Sequence, residues 1–284
     1  MRVMILGAKG QLGRELAARY HRRAHVLPLD LPALDIGDPV QVREAFDNFP
    51  PDLVVNAAAF TDVDGAEASR EAAFRVNVTG AFNAAAEAER VGARLVYYST
   101  DFVFDGQSPD PLSEEASVGP ESPLGVYGFT KWLGELATRR ASRHLILRTA
   151  WLYGPGGNNF VEKILAAAAS RTELRVVADE TGCPTHTWDL AEATETLCDA
   201  NASGLFHVVN TGFCSRAEFA QAILRMADSP ARVVPCRSRE FPTAARRPAR
   251  AVLDTAKYTQ TTGHPLRGWI EALAHYMERR KAAE

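Results

Sequence analysis

The chain has 284 residues, 46% hydrophobic and 24% charged, with 32 Lys plus Arg against 35 Asp plus Glu for a net charge of −3. That length buries a sizeable core without a disulfide or metal staple. The charge has the wrong sign for a general nucleic-acid binder, and no apolar run approaches the ~18 residues of a membrane span.

The first half alternates regularly. Arg2–Leu6 is a short apolar run read as a strand, followed by a Gly-rich turn and a helix over Gln11–Tyr20. The run starts too early for a signal peptide, so the expected location is the cytoplasm. His25–Leu29 reads as a second strand ending at Asp30, with Arg22 and Arg23 expected in solvent beyond the first helix. Residues 40–49 read as a helix with Val42, Ala45, Phe46 and Phe49 on one face. Then come a buried-type strand at Leu53–Asn56, helices over 67–76 and 79–90, a strand over 93–98, a helix over 126–140 and a strand over 145–147. Strands alternating with helices predict a Rossmann-type α/β fold, a doubly wound parallel sheet with helices on both faces.

The regularity then fades. Loops rich in Gly, Asn and Pro occupy 154–159 and 178–184, and four prolines between 229 and 248 exclude a long helix there. An amphipathic helix is expected over 268–280, with Trp269, Leu273 and Tyr276 along one side. The expected organisation is a dinucleotide-binding domain over 1–154 and a smaller, mainly substrate-binding lobe over 155–284, with segments free to return to the first domain. Cys183, Cys198, Cys214 and Cys236 form no CxxC pair. That argues against a zinc knuckle or a secreted disulfide framework and for reduced thiols.

Gly7-Ala8-Lys9-Gly10-Gln11-Leu12-Gly13 is a GxxGxxG turn between a first strand and a first helix. Glycines there let the backbone approach a pyrophosphate, and the helix offers free N–H groups. Asp30, at the end of the second strand, can accept both hydroxyls of an adenosine ribose, which favours NAD. No arginine directly follows it to clamp a 2′-phosphate, so the expectation tilts towards NADH or dual use. Asn56-Ala57-Ala58-Ala59 follows the third strand, its small residues leaving room for a dinucleotide. Ser99-Thr100-Asp101 follows the fourth, at the strand ends where open parallel sheets bind ligands. Tyr127 and Lys131 stand i,i+4 on one helix face. A neighbouring ammonium is expected to lower the phenol pKa and make Tyr127 a general acid, while Thr100 holds a substrate carbonyl.

These motifs, in this order, resemble the extended short-chain dehydrogenase/reductases. Further segments narrow the likeness: Thr61-Asp62-Val63-Asp64-Gly65-Ala66-Glu67, Tyr98 through Gly106, Arg148-Thr149-Ala150-Trp151-Leu152-Tyr153-Gly154, Asn158-Asn159-Phe160, Gly182-Cys183-Pro184-Thr185 and Arg247-Pro248. Together they resemble the dTDP-4-dehydrorhamnose reductase family over nearly the whole chain. The resemblance implies that NADPH or NADH reduces the 4-keto group of dTDP-4-dehydro-L-rhamnose, the last step of dTDP-L-rhamnose synthesis. It implies that Gly7, Gly10, Gln11, Leu12, Gly13, Asp30, Asp35, Ile36, Ala59, Phe60, Thr61, Tyr98, Tyr127 and Lys131 line the cofactor. Thr100, Asp101 and Trp151 would meet the deoxysugar nucleotide, and Arg247 its diphosphate. Thr100, Tyr127 and Lys131 would carry the chemistry.

The chain departs from the family pattern at Phe102, where tyrosine is common, and at Gly65. Arg250-Ala251-Val252 stand before Leu253 in place of a usual Asn-Ser, which bears on the diphosphate contacts. Some members dimerise through acidic residues on Mg²⁺. Glu15 could serve such a site, but Trp188 stands where an acid is wanted, so no metal is expected and a homodimer is left open. Other readings remain: a reductase or 4-epimerase of another nucleotide deoxysugar, or a non-catalytic regulatory subunit of the same fold. A 4,6-dehydratase is disfavoured because Phe102 cannot exchange a proton.

Overall fold

In the computed structural model, which describes residues 1–283, the apolar runs of the first half lie side by side in one parallel sheet. Its first five strands are β1 (Arg2–Leu6), β2 (His25–Leu29), β3 (Leu53–Asn56), β4 (Arg94–Thr100) and β5 (His144–Thr149). Gly204–His207 pairs in parallel with β5 as the sixth strand, so the order is β2, β1, β3, β4, β5, Gly204–His207. β3 and β4 are buried at every position, the pattern of strands covered on both faces. Winding reverses at β1, which has β2 on one side and β3 on the other. The loops leaving β1 and β3 part there, and a crevice opens beyond the carboxyl ends of the strands.

Helices cover both faces. On one, Leu12, Leu16 and Tyr20 of α1 (Gln11–Tyr20) pack with Leu190 and Leu197 of the helix Thr187–Asp199. On the other, Val42 and Phe46 of α2 (Pro39–Asn48) meet alanines 84, 85 and 88. Arg23, expected in solvent, instead joins α1 to the helix Thr187–Asp199 through ion pairs of 2.8 Å to Glu195 and Asp199. A second core, built from Tyr153, Val161, Leu174, Phe219, Ile223 and Leu273, lies in the later part of the chain.

The region after β3 differs from the two helices expected. It runs as α3 (Val63–Ala68), α4 (Arg70–Phe74), a π-helical turn (Arg75–Gly80) and α5 (Ala81–Val91). The wide turn carries Asn77, whose buried side chain is fully engaged. Its Nδ2 donates to Phe60 O (3.2 Å) and Thr130 Oγ1 (3.0 Å), and its Oδ1 accepts from Phe60 N (2.9 Å). Single π turns of this kind gather at functional sites. Apolar periodicity over so short a stretch does not separate them from α turns. The last of these helices, α6 (Val126–Thr138), lies against β4 and the π turn. All four cysteines are free thiols. Among the described residues, no helix is long and apolar enough to cross a membrane.

Candidate active site

The turn from β1 into α1 is shaped by two glycines. Gly7 has φ +79°, and a Cβ on it would come within 2.5 Å of Ala58 N. A Cβ on Gly13 would collide with the Gly7 carbonyl. The helix start is therefore pulled down onto the loops after β1 and β3. Gly10 is the N-cap and brings no capping side chain, so no side chain caps the first N–H groups of α1 at the positive end of its dipole.

This turn borders a trough of about 500 Å³. Gly7, Gly10, Asp30, Asp35, Ile36, Ala59 and Phe60 all line it, with Lys9. The Asp30 carboxylate accepts the N–H groups of Lys9 and Leu31, each at 2.8 Å, and the Lys9 ammonium donates to the Leu31 carbonyl at 2.5 Å. Asp35 is engaged by Arg75 at 2.7 Å. That guanidinium holds the Asp35 carboxyl below the usual carboxylate range. A glycine cradle with no room for a Cβ, an uncapped helix end and a carboxylate at the end of β2 fit a dinucleotide.

A second chamber of about 440 Å³ shares Gly10, Ala57 and Ala59 with the trough. Gln11, Leu12, Gly13, Thr61, Tyr98, Thr100, Asp101, Tyr127, Lys131, Trp151 and Arg247 line it. Every residue assigned from the sequence to the cofactor, the sugar or the diphosphate thus borders one of two adjoining spaces. Tyr98 and Gln11 are also engaged through their polar ends. The Tyr98 hydroxyl is paired with Thr194 Oγ1 at 2.9 Å, which leaves its ring to face the chamber. Gln11 donates to Leu152 O at 3.4 Å, joining the glycine turn to the chain after β5.

Tyr127 and Lys131 enter the chamber from the first turns of α6. The start of that helix is fixed from outside, because Glu67 Oε1 accepts the Val126 N–H at 2.8 Å. The spacing predicts a lysine that lowers the phenol, and the structure reverses this. Burial, with a smaller push from Asp101, brings Tyr127 up to about 12 against the pull of the Thr100 hydroxyl. The Lys131 ammonium stands over the Tyr97 ring at 4.1 Å and is itself lowered to about 7 by burial, against the pull of Glu135. A phenol so held keeps its proton at neutral pH, as a proton donor must. Asp101 is raised to about 6 by burial, although the Thr100 hydroxyl donates to it at 3.0 Å. Phe102 meets Tyr127 edge-on with ring centres 5.5 Å apart.

Beneath the chamber lies a support that sequence reasoning missed. Glu135 continues the Tyr127–Lys131 face by one more turn. It accepts Arg148 Nε and Nη2, both at 2.8 Å, and the Ser99 hydroxyl at 2.5 Å. The pair locks α6 to the ends of β4 and β5. A carboxylate i+4 from Lys131 was the available signal. Arg148 opens the Arg148–Gly154 segment, but only the fold brings it to Glu135.

The sequence profile described as "RmlD substrate binding domain" matches residues 1–282. Among curated proteins, the chain is 39% identical over 284 residues to the spore coat polysaccharide biosynthesis protein SpsK of Bacillus subtilis, covering 99% of each. A crystal structure of a dTDP-4-dehydrorhamnose reductase from Clostridium acetobutylicum superimposes with TM-score 0.95 at 38% identity, covering 99% of this chain and 100% of that one. One from Bacillus anthracis, in complex with NADP, gives TM-score 0.94 at 36% identity over 98% and 99%.

Proposed function

The chain belongs to the dTDP-4-dehydrorhamnose reductase family, and from that premise we propose that it reduces the 4-keto group of dTDP-4-dehydro-L-rhamnose to give dTDP-L-rhamnose. It is an NAD(P)H-dependent oxidoreductase with a Rossmann-type fold. The observation that carries the reading is the placement of Thr100, Tyr127 and Lys131 around one chamber, walled by the same Gly10 and Ala59 that border the trough.

Gly7, Gly10 and Gly13 admit the pyrophosphate against bare backbone, and the first turn of α1 offers it N–H donors. Asp30 receives the adenosine ribose. Beside it, Lys9 offers a cation to a 2′-phosphate, which supports use of either NADPH or NADH. When bound, the reduced dinucleotide supplies the hydride for the carbonyl carbon. Thr100 turns its single hydroxyl proton from Asp101 to the carbonyl oxygen as negative charge grows there. Tyr127, protonated at neutral pH, gives that oxygen its proton and completes the hydroxyl. Lys131, one turn along, holds the nicotinamide ribose and steadies the phenolate that Tyr127 becomes. Asp101 and Trp151 bound the space for the sugar. The reading carries two further expectations, a cytoplasmic location and a homodimer; sedimentation velocity in solution checks the second.

Purified protein tested against a panel of nucleoside-diphosphate 4-keto-6-deoxysugars should oxidise one NAD(P)H per sugar, fastest with the dTDP substrate. Sugar conversion without net cofactor oxidation would point to an epimerase instead. Asp30→Ala should raise the NADH KM about tenfold, the cost of one charge-assisted hydrogen bond, and the NADPH KM less. Equal losses would make Asp30 only the clasp for Lys9 and Leu31.

A further inference from the structure

A third cavity, of about 710 Å³, adjoins the reaction chamber, and Arg216 and Arg247 line both. Arg247, the cation expected at the diphosphate, has its guanidinium engaged by Asp64 at 2.7 Å. Arg175, also on the cavity wall, is paired with Glu240 at 2.5 Å. Arg216 differs. Its guanidinium donates no hydrogen bond to any described residue, and its ion-pair partner, Glu180, is 3.9 Å away. A guanidinium carries five N–H donors, and here they border two cavities while only 19% of the side chain is exposed.

Its seat is built. The guanidinium lies over the Trp151 ring, 3.5 Å from its centre, with Phe160 at 5.2 Å. Trp151 takes φ +44°, a left-handed conformation that an aromatic residue rarely adopts. Its indole fits only because residue 182 is glycine, where a Cβ would meet the ring at 2.5 Å. Local strain kept beside a cavity is a mark of a functional contact. Arg216 is also the first residue of the helix Arg216–Met226, fixed by a capping box between Ser215 and Glu218. Burial lowers its pKa to about 10, so it stays charged at neutral pH.

We propose that Arg216 grips the diphosphate of the nucleotide sugar, from its seat on Trp151 at the junction of the reaction chamber and the outer cavity. The inference rests on the reading that the substrate is a nucleoside-diphosphate sugar. It assigns the diphosphate contact to a residue that no motif marked.

The test uses the full-length protein and its R216Q and R216K variants. R216Q should raise the KM for the 4-keto sugar nucleotide about 10–100-fold, the loss of charge-assisted hydrogen bonds, with kcat and the NAD(P)H KM little changed. Calorimetric titration with dTDP, dTMP and thymidine should show wild type favouring dTDP over thymidine and R216Q losing that preference. R216K keeps the charge without the planar fork and should weaken dTDP severalfold. The unchanged cofactor KM marks each variant as folded. Both variants holding dTDP with wild-type affinity, in a protein that still reduces the sugar, would overturn the role of Arg216 and leave the proposed reaction standing. A wild type that neither reduces a 4-keto sugar nucleotide nor binds dTDP would overturn both.

Discussion

Tyr127→Phe is expected to lower kcat about 10²–10⁴-fold, the usual contribution of a positioned general acid. The substitution removes one oxygen from a buried chamber and leaves the ring, with its edge contact to Phe102. The fold and the shape of the sugar space should therefore be preserved. The KM for the sugar nucleotide should change little, because the proton moves only as charge develops on the carbonyl oxygen, and an interaction made only in the transition state appears in kcat. The raised pKa of about 12 suits this direction of reaction, since the group must arrive protonated. Thr100→Val removes one hydrogen bond to the same oxygen and should cost less, on the order of 10–100-fold. Steady-state kinetics on both variants check the ranking. Near-normal turnover by Tyr127→Phe would show that the acid is another group.

Arg148→Met is expected to produce the largest loss of stability, about 3–5 kcal/mol, because it strands a buried carboxylate. The side chains of Arg148 and Glu135 are 3% and 1% exposed, and they meet through two hydrogen bonds of 2.8 Å. Once Arg148 is gone, Glu135 keeps only the Ser99 hydroxyl as a strong partner. Replacing both members with apolar residues, as in Arg148→Met with Glu135→Leu, should recover much of the loss, since no charge then remains buried. Denaturant midpoints of the two single variants and the double variant measure the coupling. By contrast, losing the exposed pair Arg90–Asp47 should barely move the denaturant midpoint. Activity should fall with the buried pair as well, because Glu135 shares the α6 face that carries Tyr127 and Lys131.

Much of the site could be read from the sequence because its parts are local. The glycine turn, Asp30 and Ser99-Thr100-Asp101 each sit at a strand end, where alternation alone places ligands. Tyr127 and Lys131 are one helical turn apart, so their shared face follows from spacing. The remainder depends on residues that the fold brings together from far apart. Asn77 reaches Thr130 across 53 positions, and its π turn has no distinct apolar period. Arg216 meets Trp151 only because Gly182 makes room. The Tyr127 pKa could not be read from the i,i+4 rule, because burial is its largest cause and spacing carries no information on depth. The ion pairs of Arg23 were likewise hidden, since the helix Thr187–Asp199 that answers it comes much later in the chain.

The central claim is net reduction at sugar C4 by this chain alone, and isotope transfer tests it most directly. The purified protein is incubated with dTDP-4-dehydro-L-rhamnose and a reduced cofactor deuterated at both C4 positions of the nicotinamide, and the product is examined by NMR. The expected product is dTDP-L-rhamnose with a single deuterium at sugar C4, formed with one equivalent of oxidised cofactor. A product without deuterium at C4, or an altered sugar with no net cofactor oxidised, would contradict it.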